Sequence, residues 1–119
     1  MNLMSGRMNR LGYKMERGEI RWYKFKSPDK KRPVVILTRN SAINYLGEIT
    51  VAPITSTIRT IPTEVILDEK DGMKNVCAVN LDHIQTVSKS WIGSFIVKLS
   101  PLKMRRINTA ISFALEINE

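Results

Sequence analysis

The chain has 119 residues, with 19 Lys plus Arg against 11 Asp plus Glu and a formal net charge of +8. That length and a 43% hydrophobic share suit one globular domain and argue against extended disorder. The single cysteine, Cys77, excludes an internal disulfide or a cysteine metal cluster, and the single histidine, His83, excludes a metal triad or a nuclease built on two histidines of one chain. The basic excess points to an anionic partner, with nucleic acid ahead of a membrane surface. No metal and no cofactor is expected. The longest aliphatic run, Val34-Val35-Ile36-Leu37, falls far short of a spanning helix or a signal core, so the reading is a cytoplasmic protein with no membrane partner.

Residues 1–16 carry four methionines, Arg7, Arg10 and Lys14 with little apolar periodicity. They read as a loose N-terminal tail, or as an artefact of a start site that belongs at Met15. The domain is expected over 17–119. Its pattern is mostly strands. Glu19 to Phe25 alternates as a half-buried strand, and residues 26–32 form a polar, basic loop with Ser-Pro-Asp turn chemistry. Pro33 to Thr38 is β-branched and apolar on both faces, which predicts a central strand with proline as its first residue. Asn40 to Leu46 allows one helical turn before Gly47. Glu48 to Ala52 is the next strand, ending at Pro53. Thr63 to Leu67 alternates, Asp71-Gly72 marks a turn, and Val76 to Leu81 is another strand with a continuation at Ile84 to Val87. Phe95 to Val97 is a short last strand.

The period then changes. Ser100 is a good N-cap, Pro101 suits the first helical position, and Leu102, Ile107, Ala110, Ile111, Ala114 and Leu115 form a stripe at helical spacing. Residues 101–117 are predicted to be one amphipathic helix on the sheet. Five to seven short strands followed by a helix, without βαβ alternation, give an α+β fold: a small, partly open antiparallel barrel capped by a helix.

Two segments carry chemistry. Lys30-Lys31-Arg32-Pro33 sets three cations directly before a rigid apolar strand, and an arginine held there presents a planar donor fork suited to phosphate. Val51-Ala52-Pro53-Ile54-Thr55-Ser56-Thr57 runs a strand into a hydroxyl cluster, with Arg59 beyond it, where phosphates or sugar hydroxyls can be contacted. The bland alternatives are a solvated charge run and turn-satisfying hydroxyls. Trp22 and Trp91 are read as core or interface residues before base-stacking ones, and Cys77 as a small buried residue before a nucleophile.

Arg17-Gly18-Glu19-Ile20 with Trp22, Lys31-Arg32-Pro33-Val34-Val35-Ile36-Leu37, Val51-Ala52-Pro53-Ile54-Thr55-Ser56, Asn80 to Val87 and the Leu99-Ser100-Pro101 helix start leading to Met104 together resemble the MazF/PemK family of bacterial toxins. The resemblance covers about residues 15 to 116. It implies an SH3-like β barrel of the CcdB/MazF type with a C-terminal helix, usually a homodimer. It also implies the toxin of a type II toxin–antitoxin system: a sequence-specific, metal-independent endoribonuclease (mRNA interferase) that cuts single-stranded RNA and arrests growth. The cognate antitoxin of such a toxin, MazE-like, lays an extended acidic segment over the RNA site. By position, the family's Arg-Pro arginine is Arg32 and its Pro-Ile-Thr threonine is Thr55, the expected catalytic pair. RNA contacts are expected from Lys30, Lys31, Ser56, Thr57, Arg59, Asp82 and His83.

The loop between the first two strands is shorter than in many family members, so its carboxylate has no clear counterpart; Asp29 is the nearest. His83 stands where the family often has Gln or Asn. Two alternatives follow from the same residues: a toxin of this fold that inhibits a protein such as DNA gyrase and cuts nothing, and a basic RNA-binding module without catalysis.

Overall fold

The structure, a computed structural model, describes residues 14–24 and 31–117. Seven strands run β1 (Glu19–Lys24), β2 (Lys31–Ile36), β3 (Glu48–Thr55), β4 (Glu64–Leu67), β5 (Cys77–Asn80), β6 (Gln85–Ser88) and β7 (Ile92–Lys98). A single turn of helix, α1 (Asn40–Ile43), follows β2, and α2 (Pro101–Ala114) ends the fold. Every pairing is antiparallel. The path is β4-β5-β3-β2-β1-β7, with β6 also on β3. No described strand joins β4 to β7, so the sheet stays open, in keeping with the partly open barrel expected from the strand count.

Two clusters of buried side chains fill the two faces. Along β2, Val35 and then Leu37 just beyond it join Ile20, Ala52, Ile54, Leu67 and Val79 beneath Ile107 and Ala110 of α2. Val34 and Ile36 point the other way, into Ile43, Ile49, Val51 and Val87. A strand apolar on both faces is thus central, as its composition predicts.

The prolines correct two predicted boundaries. Pro33 is the third residue of β2, because Lys31 and Arg32 extend the strand by pairing with Lys24 and Tyr23. β3 does not stop at Pro53 but runs through it to Thr55. Backbone direction explains both. Ile36 turns its carbonyl to the N–H of Gly18, on the β1 side, so Pro33, three residues earlier, turns its missing N–H toward β3. The β2–β3 ladder ends at Val34–Pro53, just before that gap. The Thr50 carbonyl accepts from Leu37 on the β2 side, so Pro53 faces the opposite flank, where β3 changes partner from β6 (through Val51) to β5 (from Ile54). Neither ring breaks a ladder bond.

The helix begins as predicted: the Ser100 hydroxyl accepts from the Lys103 N–H at 3.2 Å and Pro101 opens the first turn. It ends at Ala114, three residues short of the prediction, and of the apolar stripe Leu102 and Leu115 stay exposed. Gly18 holds a left-handed backbone (φ +93°) against Met104 of this helix, where a Cβ would stand 3.3 Å from the sulfur. Ahead of it, Met15 packs on the second cluster and Glu16 pairs with Lys98 and Lys14, so these residues are engaged with the sheet rather than loose. No described helix is long and apolar enough to cross a membrane.

Candidate active site: a cleft where β2 and β3 part

Because the β2–β3 ladder ends at Val34–Pro53, the strands are unpaired where the chemistry-bearing residues begin. Continued two residues past Val34–Pro53, the register sets Arg32 opposite Thr55. Both line one cleft of about 730 Å³, together with Lys31 and Ser56. Lys31 and Arg32 are exposed, and Thr55 is half-buried at the end of β3. The Thr55 hydroxyl accepts from the Thr57 N–H at 3.0 Å, which orients it and leaves its proton to donate outward.

Two further walls complete the cleft. Trp22 of β1 and Phe95 and Ile96 of β7 form one, and Met73 to Cys77 the other. The second wall is delivered by the predicted Asp71-Gly72 turn. Asp68 and Asp71 cap it reciprocally, and Gly72 (φ +96°) passes so close to Val97 that a Cβ would clash at 2.7 Å. Lys74 thereby joins Lys31 and Arg32 around the opening. Only the turn was readable in the sequence; nothing local indicated which cleft it would border. Trp22 is 39% and Phe95 51% exposed, so they surface the cleft rather than fill the core. Behind Phe95 lies Arg21 of β1, 2% exposed, with its guanidinium 5.8 Å from the ring centroid. Its Nε donates to Glu19 at 2.7 Å and Nη1 to the Gly93 carbonyl at 3.0 Å.

The remaining sequence candidates are placed as follows. Ser56 joins the cleft and Thr57 serves Thr55 through its backbone. Arg59 lies off the cleft lining, where Nη1 reaches the fully buried Glu64 carboxylate at 3.4 Å. That carboxylate also accepts the Arg59 and Thr60 N–H groups at 2.9 and 3.1 Å, which steadies a loop whose Thr60 sits in the left-handed region (φ 57°). Asp82 accepts from the Thr63 hydroxyl at 2.6 Å and ties down the far end of the same loop. Asp82 and His83 follow Asn80, at the opposite end of β5 from Cys77, and do not line the cleft. Lys30 and Asp29 lie outside the described residues. Trp91 is exposed away from the cleft. Burial, then the charges of Asp71 and Asp68, raise the Cys77 thiol above its ordinary value, which keeps it protonated at neutral pH and unsuited to attack. Among the described residues no three His, Cys, Asp or Glu side chains gather as a ligand set.

Residues 16–115 match the family described as the PemK-like, MazF-like toxin of type II toxin–antitoxin systems. The chain is 38% identical over 101 residues to the probable endoribonuclease MazF5 of Mycobacterium tuberculosis, covering 84% of this chain and 92% of that one. It is 37% identical over 90 residues to the endoribonuclease MazF3 of the same organism, covering 76% and 87%. Its structure superposes on the M. tuberculosis toxin MazF-mt6 with a TM-score of 0.78 at 34% identity, over 85% of this chain and 99% of that one. A mycobacterial endoribonuclease solved in complex with its cognate antitoxin gives 0.80 at 28% identity, over 88% and 98%. The match over nearly the whole described fold makes this chain a member of the PemK-like, MazF-like toxin family of type II toxin–antitoxin systems.

Proposed function

We propose that this endoribonuclease toxin cleaves single-stranded RNA in the cleft between β2 and β3, with Arg32 and Thr55 as the catalytic pair. The observation that carries the reading is their juxtaposition: two residues 23 apart in sequence number, on neighbouring strands, meet at one opening ringed by Lys31, Arg32 and Lys74. RNA brings its own nucleophile, the 2′-OH. Cleavage then needs that hydroxyl deprotonated, the phosphorane charge stabilised and the 5′-oxygen protonated as it leaves. Arg32 supplies the positive charge and a donor for the phosphorane oxygens. A guanidinium has donors and no acceptor, so Arg32 does not serve as the base. Thr55, oriented by the Thr57 N–H, donates to a phosphate oxygen or holds the 2′-OH. Lys31 and Ser56 contact the backbone on either side. The products are a 2′,3′-cyclic phosphate and a 5′-hydroxyl, formed without a metal. The protein acts in the cytoplasm, on the RNA found there, as a growth-arresting toxin. A cognate antitoxin with an acidic segment covers the same cations, and the working unit is a homodimer.

The test is incubation of the purified protein with a long single-stranded RNA in EDTA, with product ends mapped. Cuts at one short motif with cyclic phosphate ends are expected. Arg32→Ala and Thr55→Ala should each lower the rate roughly 10²–10³-fold without loss of fold, since neither side chain is in the core. Intact RNA from a protein that still arrests growth would move the reading to inhibition of a protein target.

A further inference from the structure

We propose that Phe95 is the stacking platform for one unstacked nucleobase beside the phosphate held at Arg32, with Trp22 as the neighbouring wall; this rests on the cleft being the RNA site. The cleft alternates two chemistries. Lys31, Arg32 and Lys74 supply charge, and two half-exposed aromatic residues from adjacent strands supply flat apolar surface. Single-stranded RNA alternates in the same way, a charged phosphate and then a planar base, and both are met by a basic groove with aromatic side chains.

The ring at 95 is also braced from behind. Burying a glutamate–arginine pair carries a large desolvation cost that its attraction offsets only in part, so it is a poor device for stability alone. Here Glu19 and the Gly93 carbonyl both fix the Arg21 guanidinium, and that guanidinium lies over Phe95. With a fixed cation beside it, the ring is restrained where Phe95 lines the cleft. A rigid platform loses little freedom when a base settles on it.

The experiment uses short oligonucleotides bearing the motif mapped above, made uncleavable by a 2′-deoxy substitution at the cut, either intact or with one abasic nucleotide at each position in turn. Binding is measured for the wild-type protein and for Phe95→Leu, which keeps apolar bulk and removes the ring. Phe95→Leu should weaken the intact oligonucleotide about tenfold. At one abasic position it should have no further effect, because the base that used the ring is already gone. A ring that only shapes the fold would weaken every oligonucleotide by the same factor, and that result overturns the proposal, as does an unchanged affinity. Should Phe95→Leu fail to fold, the Trp22 emission of a Trp91→Phe protein serves instead: quenching by the intact oligonucleotide should shrink at the same single abasic position, and equal quenching by all overturns the proposal. Loss of binding to an acidic antitoxin peptide with RNA binding intact would assign the ring to that partner and also overturn it. Wild-type protein that neither binds nor cuts RNA refutes the cleft reading itself, whereas normal cutting with an indifferent Phe95→Leu refutes only the platform.

Discussion

Two glutamate–arginine pairs are built into the fold, and they do different work. In the first, Glu19 and Arg21 are both sealed in the sheet, with side chains 8% and 3% exposed. In the second, Glu64 is fully buried while its partner Arg59 is 54% exposed. The first carboxylate exists for its arginine. The second accepts two backbone N–H groups, and the arginine is an addition at 3.4 Å. An ion pair found in a structure therefore says little until the burial of each member and its other bonds are known. The first pair is a brace, whose removal strands a charge. The second is a loop latch whose glutamate matters and whose arginine matters little.

The contrast is open to breakage in order of size. Glu19→Ala should be the most damaging, at about 3–5 kcal/mol, since it leaves the Arg21 charge buried without its carboxylate; urea unfolding measures it. If the loss is under about 1 kcal/mol, the brace is not a pair at all. Glu64→Ala should come next, at about 1–3 kcal/mol, by orphaning two N–H groups and freeing Thr60 from its left-handed conformation; faster hydrogen exchange at Arg59 and Thr60 identifies the cause. Arg59→Ala should cost no more than about 1 kcal/mol in the same unfolding measurement, because the exposed guanidinium is screened by water. The smallest effect sharpens the rule at the surface. The hydrogen bond to Lys98, and the charges of Lys98 and Lys14, hold the Glu16 carboxyl below its ordinary 4.5, against the opposing pull of partial burial. A depressed carboxyl stabilises the fold above its unfolded value and loses that stabilisation as pH falls through the folded one. Comparison with Glu16→Gln across pH 6 to 3 should show a difference of about a few tenths of a kcal/mol that fades on acidification.

The same distinction separates what sequence reasoning can and cannot reach. Val34 to Leu37 announce a central strand because alternate side chains must enter two cores. Ser100-Pro101 announce a helix start because capping is local chemistry. Arg32 and Thr55 were found as motif residues, and the structure adds the register that makes them neighbours. The loop latch was illegible: Glu64 sits in an ordinary alternating strand, and nothing within a few residues shows that its carboxylate will meet backbone N–H groups of the preceding loop. Asp82 reads in the sequence as an RNA contact, and its bond from the Thr63 hydroxyl, 19 positions away, is not encoded locally. Phe95 and Arg21, 74 positions apart in number, become partners only through a bulged β1–β7 pairing that periodicity does not encode. Pro53 misled for a related reason. A proline reads as a strand stop unless one knows that its flank of the sheet is already between partners.

The β1–β7 pairing sets the order in which the molecule can become whole. Glu19 lies beside Lys98, so the chain must be made through β7 before this pair of strands can close. Closing so long a loop is among the slowest events available to a small domain, and the shorter hairpins form ahead of it. Trp22 comes from one of these strands and Phe95 from the other, so this wall of the cleft waits for β7. A half-synthesised chain carries Arg32 and Thr55 and still has no walls around them.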